Sequence, residues 1–388
     1  MTDVIYLDHH ATTPCDPRVV EAMLPWFTAH FGNPSSDTHD LGREARRAVE
    51  AARVEVAELL GGEPRGVVFT SGATEALSWA IQSATLLGKV DGRAEIVTVG
   101  TEHKAVLDTC ELVRKRGHAR VSFAVTMEDG RVDLDSLAKL ITGRTALVAI
   151  MAANNETGVL QPIDQIGNLC ADAGVPFLCD AVQAVGKVPF RFGLRGLSMA
   201  ATSAHKMYGP KGIGALYIGD RSLQRRLEPL IAGGGQERGL RSGTMNVPAI
   251  VGFGRAAALA AVEGCVETER LRGLRDELLA GLRAGFPGLV VNGSMEHRLP
   301  HSLNVSFMGV EAQALIAAVP EIAVSSGSAC NSAAVQPSHV LMAMGLGEER
   351  AFSAVRFGLG TGQSRTDCQT AANRFCEIAI ILLETAAV

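Results

Sequence analysis

Leu197-Ser198-Met199-Ala200-Ala201-Thr202-Ser203-Ala204-His205-Lys206 carries an apolar run into a lysine, and a turn studded with Gly209, Gly212 and Gly214 follows. Lysine is ordinarily a solvated surface residue, so one set just past a buried strand calls for a reason. Upstream, Val175-Pro176-Phe177-Leu178-Cys179-Asp180 brings a carboxylate to the end of another apolar run. Outward from this pair, between about residues 50 and 250, short apolar runs alternate with helical patterns. Residues 66–70, 95–99, 145–150, 176–179 and 214–218 read as buried strands, and residues 43–60 and 163–173 as amphipathic helices. Such alternation builds an α/β fold whose mostly parallel sheet is covered by helices. Ligands in these sheets sit beyond the carboxyl ends of the strands. Thr70 to Glu75, Thr101-Glu102-His103, Asn154 to Gly158 and Asp180 to Gln183 fall at those ends.

From about residue 255 the pattern changes. A long helix over 255–284 precedes Pro287-Gly288, two short strands (289–291 and 302–307) and further helices, which reads as a smaller α+β domain. The expected division is a large domain over 15–255, with 1–14 and 256–388 forming the small one. The 388 residues carry 36 basic and 41 acidic side chains without a block of like charge, so nothing marks a nucleic-acid or membrane surface. No apolar run is expected to reach the roughly 18 residues of a membrane span. Met1-Thr2-Asp3 opens the chain without the marks of a secretory signal. Eight cysteines lack CxxC spacing, which argues for a reducing, cytoplasmic compartment and against structural zinc.

An amine and a carboxylate at neighbouring strand ends are what a pyridoxal phosphate site requires. Lys206 would hold the aldehyde and Asp180 would keep the pyridine nitrogen protonated. Thr70-Ser71-Gly72-Ala73-Thr74-Glu75 opens a helix expected over 76–87, where free N–H groups suit a phosphate. By itself the segment reads as an ordinary helix cap. Ser203 and His205 are further phosphate candidates. His103 offers a ring for the cofactor's face, and Gln183 a donor for its phenolic oxygen. Cys330, in Ser325-Ser326-Gly327-Ser328-Ala329-Cys330, has small polar neighbours that suit a nucleophile better than a core thiol. Asp8-His9-His10 also spells a signature of metal-dependent phosphoesterases, without a companion cluster to complete a two-metal site.

These segments, together with Tyr6-Leu7-Asp8, Ala11-Thr12-Thr13-Pro14, Gly32-Asn33-Pro34-Ser35-Ser36 and Gly233 to Thr244, make the chain resemble the cysteine desulfurases. These are class V aminotransferase-like pyridoxal phosphate enzymes of fold type I, and the Cys330 context resembles their group I branch. The resemblance implies Lys206, Cys330 and His103 as catalytic. It assigns the cofactor to Ala73, Thr74, His103, Asp180, Gln183, Ser203, His205 and Lys206. Thr244 would serve the phosphate of a partner subunit, hence a homodimer. Asn155 and Arg356 would hold the substrate carboxylate, a task suited to a planar guanidinium fork. L-cysteine would become L-alanine while its sulfur passes to Cys330 as a persulfide. The acceptor, an iron–sulfur scaffold or a tRNA or DNA thiolation protein, stays open, as do the roles of His9 and His10. A selenocysteine lyase, a class V aminotransferase and the phosphoesterase are the alternatives. Residues 325–337 are expected to lack order without substrate.

Overall fold

The computed structural model describes residues 4–327 and 336–386. Cys330 therefore lies outside the described residues. Strand β1 (Ile5–Tyr6) opens the described chain. The large sheet holds β2 (Val67–Thr70), β3 (Glu95–Val99), β4 (Arg120–Ala124), β5 (Thr145–Ala149), β6 (Phe177–Asp180), β7 (Leu197–Ser203) and β8 (Gly214–Ile218). Their spatial order is β2-β8-β7-β6-β5-β3-β4. Every pair is parallel except those of β8, which runs antiparallel to both β2 and β7. The glycine-rich turn after Lys206 explains the exception, since it reverses the chain within a few residues and leaves no length for a helical crossover. Strands β2, β5, β6 and β8 are buried along their whole length. Helices cover both faces, which is why these strands read as continuous apolar runs.

Helices α1 (Pro17–Met23), α2 (Pro25–Thr28) and α3 (Asp40–Leu60) precede the sheet. Within it come α4 (Ala73–Val90), α5 (Lys104–Lys115), α6 (Leu134–Leu140), α7 (Ile163–Ala173) and α8 (Arg221–Arg226). Helix α9 (Val247–Gly285) follows. It starts eight residues before the expected Arg255, because Asn246 caps Ala249 and Pro248 sits where a proline costs no hydrogen bond. The expected division at 255/256 falls inside this helix. Its first half packs into the core of the large sheet through Ile250, Phe253 and Ala257. Its second half packs through Leu274, Leu278 and Leu282 into a separate core.

That second core is roofed by a four-stranded sheet. The strands are β9 (Leu289–Val291), β10 (Ser302–Phe307), β12 (Ser325–Ser326) and β13 (Ala354–Gly358), in the order β12-β13-β10-β9. Strand β11 (Ile322–Ala323) pairs with β1 in parallel, and Leu7 joins the same core. The remaining helices are α10 (Ala312–Ala317), α11 (His339–Ala343), α12 (Glu348–Phe352) and α13 (Arg365–Ala386). Ser325 and Ser326, expected to lack order, are paired with Arg356 and Val355. Residues 328–335 of that expectation lie outside the described chain.

The stretch Val247–Gly264, within α9, is by length and composition long and apolar enough to cross a membrane, contrary to the expectation that no such run exists. Its apolar character comes largely from six alanines and three valines, and in the structure α9 lies against α3 and α1.

Candidate active site

The carboxyl ends of β2, β3, β5, β6 and β7 open onto one cleft of about 840 Å³. Lys206 ends a single 3₁₀ turn, Ala204–Lys206, that follows β7 directly. Its Nζ donates to the carbonyl oxygens of His10 (2.5 Å) and Ala11 (2.6 Å). The N-terminal segment that follows β1 thus meets the lysine.

Asp180, the last residue of β6, is 7% exposed and accepts one hydrogen bond from the Val182 N–H. Burial pushes its carboxyl up, while the charges of His103 and Lys206 pull it back. His103 caps α5, its Nδ1 accepting from the Ala105 N–H at 3.0 Å. Burial lowers its pKa, and because Nδ1 accepts, a neutral ring carries its proton on Nε2. Gln183 lines the same wall.

The segment at the start of α4 is not an ordinary capped helix end. The helix begins at Ala73, three residues before the expected Ala76, and Gly72 at its N-cap supplies no side-chain bond. The Thr70 hydroxyl donates to the Gly72 carbonyl instead of accepting from a helical N–H. The first turn therefore presents Ala73 and Thr74 to the cleft, the arrangement that receives an anion. Ser203 and His205 line the same cleft. Burial, then the Lys206 charge, lowers His205 to about 4, and its Nδ1 contacts the Thr12 hydroxyl at 3.1 Å.

Arg356 and Asn155 also line the cleft and meet there. The Arg356 Nη1 donates to the Asn155 carbonyl (2.9 Å) and Nη2 to Asp8 (2.7 Å). The Arg356 Nε and the Asn155 Oδ1 are buried without a partner among the described residues. Asp8 also accepts from the Ser325 hydroxyl at 2.7 Å. Asp8 is thus committed to a guanidinium, against the phosphoesterase reading. His9 contacts the Gly358 carbonyl through Nδ1 and His10 contacts Gln183. The two histidines fit because the facing positions are glycines; a Cβ on Gly360 would come within 2.1 Å of the His9 ring. No group of three metal-ligating side chains occurs among the described residues.

Comparison with known proteins decides the family. The aminotransferase class-V family matches residues 5–370. The chain belongs to this family. It is 52% identical over 356 residues to "Cysteine desulfurase IscS" of Anaeromyxobacter sp. (strain Fw109-5), covering 92% of this chain and 87% of that protein. Among solved structures, a "NifS-like protein" aligns with a TM-score of 0.90 at 36% identity, covering 98% of this chain and all of the other. "SspA in complex with cysteine" aligns with a TM-score of 0.81 at 34% identity, covering 92% and 98%.

Enzymes of this family use pyridoxal phosphate, and the residues present fit it. A buried carboxyl with a single hydrogen bond matches a ring nitrogen that carries a proton. An uncapped helix start matches a phosphate, and the lysine between them matches the aldehyde. Thr244 does not line this cleft; it is exposed on the loop before α9. That loop is tied to the start of α4 all the same, because Arg241 pairs with Glu75 at 2.9 Å.

Cys330 lies outside the described residues, but those on either side, Gly327 and Gln336 to His339, line the cleft. Among the described cysteines, burial pushes the thiols of Cys110 and Cys170 to about 12, which leaves them as inert core residues. The sequence reading missed Asp8 as the partner of Arg356, Glu75 with Arg241, and Glu156. Glu156 is 3% exposed and accepts from the Ser338 hydroxyl at 2.5 Å. Each of these pairings joins residues more than 150 positions apart, and no local pattern announces them.

Proposed function

We propose that the chain is a pyridoxal phosphate-dependent cysteine desulfurase. L-cysteine and the Cys330 thiol give L-alanine and a Cys330 persulfide, so one C–S bond breaks as one S–S bond forms. The observation that carries this reading is the convergence of Lys206, Asp180, the start of α4 and Arg356 on one cleft, walled by the residues flanking Cys330. The cofactor supplies an aldehyde and a conjugated ring that takes up an electron pair.

The protein's own groups do the rest. Asp180 would hold a proton at the ring nitrogen, and Ala73, Thr74, Ser203 and His205 would hold the phosphate. His103 covers the ring face, and Gln183 donates to the phenolic oxygen. Lys206 would hold the aldehyde, and its amine is the group placed to move the substrate's α-proton. Arg356 keeps N–H groups beyond those given to Asp8 and Asn155, so it can still grip a carboxylate.

The same reading makes the enzyme a homodimer in which Thr244 reaches the partner's phosphate site, with residues 1–14 and 256–388 forming the smaller domain. It places the enzyme in the cytoplasm, free of membrane and nucleic acid. The persulfide passes to an acceptor protein, an iron–sulfur scaffold or a tRNA or DNA thiolation protein.

Purified enzyme loaded with cofactor tests this. With L-cysteine and a thiol reductant it should release alanine and sulfide in equal amounts, and Cys330→Ala should release neither. Turnover unaffected by that substitution would point to an aminotransferase or a lyase, and failure to take up the cofactor would overturn the reading.

A further inference from the structure

Gln183 is 4% exposed and sits where the cofactor's phenolic oxygen belongs on the reading above. Its Oε1 lies 3.2 Å from the Lys187 Nζ and 3.2 Å from the His10 Nδ1. Its Nε2 donates to the His10 carbonyl at 3.0 Å. The two ends of an amide are almost identical in shape, so its neighbours decide which way it faces. A carbonyl oxygen only accepts, so the end against His10 O is the NH₂. An ammonium only donates, so the end against Lys187 is the oxygen. A reversed amide would set acceptor against acceptor and donor against donor.

We propose that Lys187 and His10 are positioning residues that lock the Gln183 amide with its second N–H facing the cofactor's phenolic oxygen. The inference rests on the assignment of Gln183 to that oxygen.

The surroundings hold both clamps in place. His10 needs its proton on Nδ1 to meet Oε1, and its Nε2 is indeed buried without a partner. Burial, with the charges of His301, Arg356 and Lys187, keeps this ring well below the usual histidine range and so neutral. His301 stacks on it at 4.8 Å between ring centroids, which fixes the ring plane. Lys187 is anchored by its own carbonyl, which accepts from the Thr268 hydroxyl on α9 at 2.7 Å. Burial and the Lys206 charge bring its amine down to about 7; charged or neutral, it keeps N–H groups to donate.

The test is the pH titration of the visible absorption band of the cofactor-loaded enzyme, in Gln183→Leu, Lys187→Met and the double variant. Methionine keeps much of the lysine stem and removes a buried amine, so folding is not at risk from an orphaned charge. His10→Phe provides the second clamp variant. Loss of a donor to the phenolic oxygen should move the midpoint up by roughly one pH unit in Gln183→Leu. Lys187→Met and His10→Phe should each move it in the same direction by about half as much, and the double variant no further than Gln183→Leu alone. A Lys187→Met midpoint equal to wild type beside a shifted Gln183→Leu would overturn the clamp and leave the Gln183 assignment standing. Shifts that add in full would also overturn it, because Lys187 would then act through its charge and not through the amide. An unshifted Gln183→Leu would overturn the Gln183 assignment itself.

Discussion

Asp8 and Arg356 illustrate what a single pair contributes to the site. The carboxylate holds one arm of the guanidinium and the Asn155 carbonyl another, so on the proposed function the fork is oriented before substrate arrives. Asp8→Ala should raise KM for cysteine about tenfold with a smaller change in kcat, as steady-state kinetics would record. Glu102 presents a different case. It is wholly buried, Oε1 accepts from the Met151 N–H at 2.7 Å, and Oε2 has no partner. Burial raises its carboxyl well above the usual 4.5. A raised folded-state pKa contributes stability in full below about pH 4.5 and loses it as pH rises through the folded value. Glu102→Gln removes that loss, so its melting temperature should gain on wild type as pH goes from 4 to 8. A constant difference would mean that Glu102 is not protonated in the fold. Lys206 and Asp180 were legible in the sequence because each ends an apolar run, a local signal. Asp8 was not, because its partner stands 348 positions away.

At the scale of elements, strands β3, β8 and β10 and helix α7 follow the sequence pattern residue for residue, since burial on both faces or on one stripe is written locally. Strand β4 escaped notice: it is an edge strand with only its last residue buried, and lacks the continuous apolar run. The start of α4 was read three residues late because Ala73-Thr74-Glu75 looks like a loop until its N–H groups are counted. The anchoring of α3 to β2 was wholly hidden. Arg53 is 3% exposed and pairs with Glu237 at 2.6 Å, while Glu237 also accepts from the Phe69 N–H. Glu237→Ala leaves that guanidinium buried with only Glu50, far more exposed, as its acidic partner. A loss of about 3–5 kcal/mol follows, measurable as a lower urea midpoint. A loss below about 1 kcal/mol would place the pair in the exposed class.

The whole molecule sets two cores against one cleft, and α9 runs through both. Its continuity was obscured by the chain itself: Pro248 and Gly252 look like breakers, yet one sits in the first turn and the other makes room for Met23. The loop carrying Thr244 is exposed in the single chain, which is where a residue serving a second copy would be. Light scattering should therefore give twice the chain mass of 40.8 kDa, and Thr244→Ala should weaken cofactor binding without changing that mass.

The central claim is that sulfur moves from cysteine to Cys330, and mass spectrometry of the enzyme after a single turnover without reductant tests it directly. The peptide containing Cys330 should gain one sulfur atom, removable by a thiol reductant, while peptides with Cys110, Cys170 and Cys179 stay unchanged. Alanine formed with no added sulfur on Cys330, or sulfur found on another cysteine, would contradict the account.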